Sequence, residues 1–127
     1  MDIPSIICEV SKELGHGHRE NVYQKAIEVE LRIRGIPYEC ERVVPIKYKD
    51  HVISHMRMDL VIDGLVVIEL KSIKHLKDGD ECQLRRYLEN SEYDEGYLVN
   101  FCIDGGYELK SLKRDEINGK AWRVSTH

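Results

Sequence analysis

Between Gly35 and Ile36 the spacing of apolar residues changes from three-and-four to two, which commits the chain to helices first and strands after. Ile3, Ile6, Ile7, Val10 and Leu14 share one face of a first amphipathic helix. Asp2 is placed to cap it, and Pro4 is tolerated in its first turn. Gly15-His16-Gly17 breaks that helix, and a second begins near Arg19, carries Val22, Tyr23, Ala26, Ile27, Leu31 and Ile33, and stops at Gly35. Beyond it Glu41 to Tyr48 reads as a strand in which Pro45 marks an edge position or a bulge. Lys49-Asp50-His51 is a turn, and Val52 to Ile62 and Leu65 to Ile73 form a hairpin around Asp63-Gly64. Gly79 to Asn90 reads as a helix with Leu84, Tyr87 and Leu88 inward, followed by strands at Glu95 to Phe101 and Tyr107 to Leu112. This order gives an α/β fold with a mixed central sheet flanked by helices. Residues 113–127 read as a charged tail with no assigned element.

Length and charge narrow the class. The 127 residues fit one domain, 1–127, and a chain that is 42% hydrophobic can build a core. Apolar runs such as Leu65 to Ile68 are far shorter than the roughly 20 residues of a spanning helix. The N-terminal segment carries charges through its apolar stretch and does not read as a secretion signal. Nineteen Lys+Arg against 23 Asp+Glu leave a net charge of −4, so any nucleic-acid contact must come from a local basic strip. Cys8, Cys40, Cys82 and Cys102 form no CxxC pair or zinc-site spacing, which fits reduced thiols and a cytoplasmic location.

The central hairpin carries the chemistry, and its register follows from its faces. A two-residue loop pairs Ile62 with Leu65 and mixes charge into both faces. A shift of one residue, with a three-residue loop or a bulge at Gly64, puts Met58, Leu60, Ile62, Val66, Ile68 and Leu70 on one apolar face. The same shift gathers Asp59, Glu69 and Lys71 on the other. Two carboxylates side by side suit a hard divalent cation such as Mg²⁺, and the nearby lysine can hold a water or neutralise an oxyanion. An isolated Glu-x-Lys is more often a surface ion pair worth about 0–1 kcal/mol; the second acid and the apolar hairpin favour the site. Glu20, in the first turn of the second helix, borders the same side as Tyr23 and Ile27, although a helix dipole alone also favours an acid there. Gln83 and Tyr87 align at i and i+4 on the helix after the hairpin, with core packing by Tyr87 as the plainer account.

Asp59, then Glu69-Leu70-Lys71, then Gln83-x-x-x-Tyr87 resembles the core pattern of the PD-(D/E)XK nuclease superfamily. Gly17-x-x-Glu20-x-x-Tyr23 and the run from Gly96 to Phe101 resemble its small GxxExxY branch, so the motif-bearing core spans about 14–101. The resemblance implies a restriction-endonuclease-like core in which Asp59, Glu69 and the Leu70 carbonyl hold Mg²⁺, with Mn²⁺ able to substitute. Lys71 then stands beside the attacking water, Glu20 is a further acid, and Gln83 and Tyr87 flank the site. His16, His18 and Arg19 depart from the branch pattern, and with no third ligand nearby His16-x-His18 reads as surface rather than as a metal pair.

The expected activity is Mg²⁺-dependent phosphodiester hydrolysis on DNA, ahead of RNA, with Lys71, Lys74, His75, Lys77, Arg85 and Arg86 as a phosphate-tracking strip. The alternative is a catalytically silent nuclease-fold module for nucleic-acid or protein binding or self-assembly. A homodimer is expected by analogy only, and no membrane partner is expected.

Overall fold

A computed structural model describes residues 1–114 and 122–126. Helices α1 (Ile3–Leu14) and α2 (Glu20–Ile33) lead into strands β1 (Tyr38–Tyr48), β2 (His51–Ile62) and β3 (Val66–Lys71). Helix α3 (Cys82–Glu89), then β4 (Glu95–Phe101), β5 (Tyr107–Arg114) and β6 (Trp122–Thr126) complete the order. The strands form one six-stranded sheet in sequence order. Among the described residues only β3 and β4 are parallel, joined through α3, so the sheet is mixed as the pattern predicts.

Local chemistry sets the helix ends. The Asp2 carboxylate accepts the Ser5 N–H at 3.1 Å and caps α1. Ile3, Ile6, Ile7 and Val10 of α1 pack with Tyr23, Ile27 and Leu31 of α2 against Leu60, Ile62, Ile68 and Leu70 of the sheet. On the opposite face Leu84, Tyr87 and Leu88 of α3, all fully buried, close over Met58, Val61, Val67 and Leu98. The helix starts three residues later than the expected Gly79, because Gly79 holds φ 94°, outside the helical region.

The hairpin has the one-residue shift. Ile62 pairs with Val66, Val61 with Val67 and Leu60 with Ile68, leaving a three-residue loop with Asp63 at φ 54° and Gly64 at φ 64°. Five of the six residues expected on the apolar face lie there, packed beneath α1 and α2. Met58 does not: it packs with Met56 beneath α3. The alternation of β2 therefore inverts at Asp59. Cys40 pairs with Leu60 and Arg42 with Met58, and between them Glu41 takes φ 53°, an irregularity that lets β2 change faces.

Two other boundaries move. Strand β3 ends at Lys71 rather than Ile73, because the Ile73 backbone is claimed from outside the ladder: its N–H by the Asn100 side chain and its C=O by the Ile103 N–H. Lys113 and Arg114, expected in the tail, extend β5, and Trp122–Thr126 adds the edge strand β6; the remainder of the tail lies outside the described residues. Pro45 sits on the edge strand β1, opposite His55, while the register irregularity lies at Ile46/Lys47.

Candidate active site

The site forms where the β2–β3 ladder stops. Beyond Leu60 and Ile68 the two strands no longer pair, and β3 continues on its other side by pairing Glu69 with Leu98 and Lys71 with Asn100. The freed Leu70 N–H is taken by the Asp59 side chain, whose Oδ2 accepts it at 2.7 Å. The Asp59 carboxylate thus lies against the backbone of Leu70, the residue after Glu69.

Burial sets the electrostatics. Glu69 is 5% exposed, and its Oε2 is buried with no hydrogen-bond partner among the described residues. Its carboxyl is pushed up to about 7, chiefly by burial; the Lys71 ammonium opposes this, and the charges of Asp59, Glu20 and Asp80 add to it. Asp59 is raised as well, again chiefly by burial, with the Leu70 N–H opposing and Glu41 adding to the rise. Lys71, half-buried at the end of β3, brings a counter-charge to both acids.

An orphaned carboxylate oxygen and two desolvated acids are what a divalent cation would relieve, so these residues fit the Mg²⁺ that the sequence pattern implies. The donor set is all oxygen, the preference of a hard cation.

The remaining sequence-derived residues fall at different depths. Glu20 is exposed at the first turn of α2, and its charge acts on Glu69. Gln83 is exposed on α3. Tyr87 is fully buried, and its hydroxyl, pushed up to about 12 chiefly by burial, has Tyr93, Arg42 and Glu39 as its charged and polar neighbours. Of the basic strip, Lys74, His75, Lys77 and Arg86 are exposed, whereas Arg85 pairs with Glu81 at 4.0 Å.

Sequence reasoning missed two contributors. The Gln24 side-chain amide reaches the Asp59 carbonyl at 3.5 Å. Its position one turn after Glu20 was a usable signal. Asn100, fully buried beside Lys71, accepts the Ile73 N–H at 2.9 Å and so fixes the segment leaving the site. It lies in the Gly96–Phe101 run, but nothing in that run gives its contact with Ile73. The loop with the two histidines is held by Tyr23, whose hydroxyl donates to the Gly15 carbonyl at 2.8 Å, and by His18, whose Nε2 lies 3.1 Å from the Leu14 carbonyl. His18 is thus tied to the end of α1.

The family model of the PD-(D/E)XK nuclease superfamily matches residues 1–112. The crystal structure of SSO0001 superposes with a TM-score of 0.57 at 22% identity, over 77% of this chain and 52% of that one. The chain thus spans about half of that structure, and the likeness concerns the fold alone. No curated protein matches the chain.

Proposed function

Because the chain belongs to the PD-(D/E)XK nuclease superfamily, we propose that it is a Mg²⁺-dependent nuclease that hydrolyses phosphodiester bonds of DNA ahead of RNA. The observation that carries the reading is the pair of desolvated acids, with Glu69 Oε2 buried and unpartnered beside Asp59. Asp59, Glu69 and the Leu70 carbonyl would hold the cation, which when bound supplies Lewis-acid charge and a water of lowered pKa. Mn²⁺ would serve in its place.

Each side chain then has a separate task. Lys71 stabilises charge that develops on the phosphoryl oxygens in the transition state. Glu20 adds an acid at the mouth of the site, and Gln83 meets the substrate from the exposed face of α3. Tyr87 acts from the core by holding α3 in place. Gly17, Glu20 and Tyr23 support assignment to the GxxExxY branch, with Tyr23 shaping the loop that precedes Glu20. The four free thiols fit a reducing cytoplasm, and among the described residues no helix is long and apolar enough to cross a membrane. The same fold would serve as a homodimer.

The competing reading is a catalytically silent binding module, which the net charge of −4 favours. One experiment separates them. The purified chain and Asp59→Asn are melted with and without Mg²⁺ or Mn²⁺ at pH 8 and assayed on single- and double-stranded DNA and RNA. A nuclease shows a cation-dependent rise in Tm and cleavage, both lost in Asp59→Asn. No cation response and no cleavage would put the binding module first.

A further inference from the structure

A second cluster of chemistry-bearing side chains lies on strands adjoining the acid pair. His75 is in the segment that leaves β3, Cys102 directly follows β4, and Glu108 is the second residue of β5. Their ligand atoms all lie within 4.8 Å of one another. His75 Nδ1 is 3.8 Å from Glu108 Oε2, and Cys102 Sγ is 3.6 Å from Glu108 Oε1.

We propose that His75, Cys102 and Glu108 form a zinc site, independent of the Asp59–Glu69 pair and of the phosphodiester reading. Three features carry it. The first is ligand chemistry. Imidazole nitrogen, thiolate sulfur and one carboxylate oxygen make a borderline-soft set that suits Zn²⁺ and disfavours Mg²⁺, whereas Asp59 and Glu69 offer oxygen alone. Three protein ligands leave the fourth tetrahedral position to water.

The second is preorganisation of the carboxylate. Glu108 Oε1 accepts from the Leu76 N–H at 2.9 Å and from Asn100 Nδ2 at 2.9 Å, which turns Oε2 towards His75. Partners of this kind orient metal-ligating side chains. The third is that the backbone around His75 is already pinned. Ile73 exchanges hydrogen bonds with the Asn100 side chain at 2.9 and 3.2 Å, and its carbonyl also receives the Ile103 N–H at 3.1 Å. The 6%-exposed Cys102 therefore stays fixed on one side while the exposed His75 ring can close from the other. Zinc bonds of about 2.0–2.3 Å need the ligand atoms to draw together by roughly 1 Å, a movement that an exposed imidazole can make.

The cluster escapes sequence inspection because His75 and Cys102 are 27 positions apart, and no short cysteine–histidine spacing announces it. Strand order brings the three together: β3 lies beside β4, and β4 beside β5. Asn100 links the cluster to the nuclease site as well, since it is the ladder partner of Lys71 and a hydrogen-bond donor to Glu108. Zinc here would clip the segment after Lys71 to the β4–β5 hairpin.

The test uses the whole chain, stripped with a chelator and then titrated with Zn²⁺ against a chromophoric competitor, and in parallel with Co²⁺. The expected result is one equivalent bound, with a thiolate-to-cobalt charge-transfer band. Cys102→Ser removes that band, and His75→Ala, an exposed position, weakens zinc at least about tenfold while the circular dichroism spectrum stays native. Asp59→Asn retains both signals. The proposal is overturned by an absent band, by unchanged zinc affinity in His75→Ala, or by loss of zinc in Asp59→Asn. A band that persists in Cys102→Ser would locate the thiolate at exposed Cys8, Cys40 or Cys82 and overturn it too. Failure of these outcomes leaves the cation response of Asp59 and Glu69 untouched, so the two readings fail separately.

Discussion

The ring of Tyr23 lies flat on that of Phe101, with centroids 4.1 Å apart and planes 3° from parallel, and so fastens α2 to the end of β4. The Tyr23 hydroxyl meanwhile donates to the Gly15 carbonyl and lies 3.4 Å from the His18 N–H that donates to it. One side chain thus performs two separable tasks, core packing and loop ordering. Tyr23→Phe keeps the stack and removes the hydrogen bonds. It should cost about 1 kcal/mol and speed amide exchange at residues 15–18, read by hydrogen-exchange mass spectrometry. Tyr23→Ala should cost about 3–5 kcal/mol, and equal losses in the two variants would refute the division.

Glu69 makes the metal-free protein sensitive to pH. With its carboxyl at about 7 in the folded state and near 4.5 unfolded, it is protonated in both states below pH 4.5. Between 4.5 and 7 the unfolded chain releases the proton first, so stability falls as pH rises; above 7 the cost is constant. Glu69→Gln should therefore be more stable than wild type at pH 8 without divalent cations, and the difference should vanish towards pH 4.5. Melting curves of the two proteins across that window measure it. A difference independent of pH would show that the carboxyl is not held protonated.

Cation binding at the acid pair should show the reverse dependence. A bound divalent ion competes with protons for Glu69, so the Mn²⁺-induced rise in Tm should be larger at pH 8 than at pH 5.5. Equal rises at the two values would place the ion elsewhere.

Lys71→Ala divides holding the ion from catalysis. On the proposed nuclease reading its ammonium would act on transition-state charge, so the cleavage rate should fall roughly 10²–10³-fold while the cation-induced rise in Tm persists. The fold should change little, since the charge interactions of a partly exposed lysine contribute at most about 1 kcal/mol. Wild-type cleavage by this variant would remove Lys71 from the mechanism.

At Gly96 the sheet packs closely against Leu84 of α3. A Cβ there would lie 2.9 Å from Leu84 Cδ1 and 3.3 Å from its Cγ, and Leu84 is fully buried. Gly96→Ala should cost about 1–3 kcal/mol through overpacking. Combining it with Leu84→Ala should cost less than the sum of the two single changes, because the added methyl then fills part of the space left. Strict additivity in urea melts would mean that the contact is not what excludes a side chain at Gly96.

Much of this architecture could be read from local pattern. The capping Asp2, the inward Leu84, Tyr87 and Leu88, and the shifted pairing of Ile62 with Val66 follow from periodicity and turn chemistry, which act over a few residues. Asp59, Glu69 and Lys71 stand out as candidates for the same reason, since a single hairpin carries all three. What local pattern could not supply was the third dimension around that hairpin. Met58 fits the two-residue period of the sequence yet packs on the other face, because the irregularity beside it, at Glu41, arises on the neighbouring strand. Strand β3 ends early because of Asn100, 27 positions beyond Ile73. The raised Glu69 carboxyl depends on which layers bury it, and the meeting of His75, Cys102 and Glu108 depends on strand order. Hydrophobic period is written into neighbouring residues, whereas burial and ligand distance are set by segments far apart in sequence, so only the folded chain decides them.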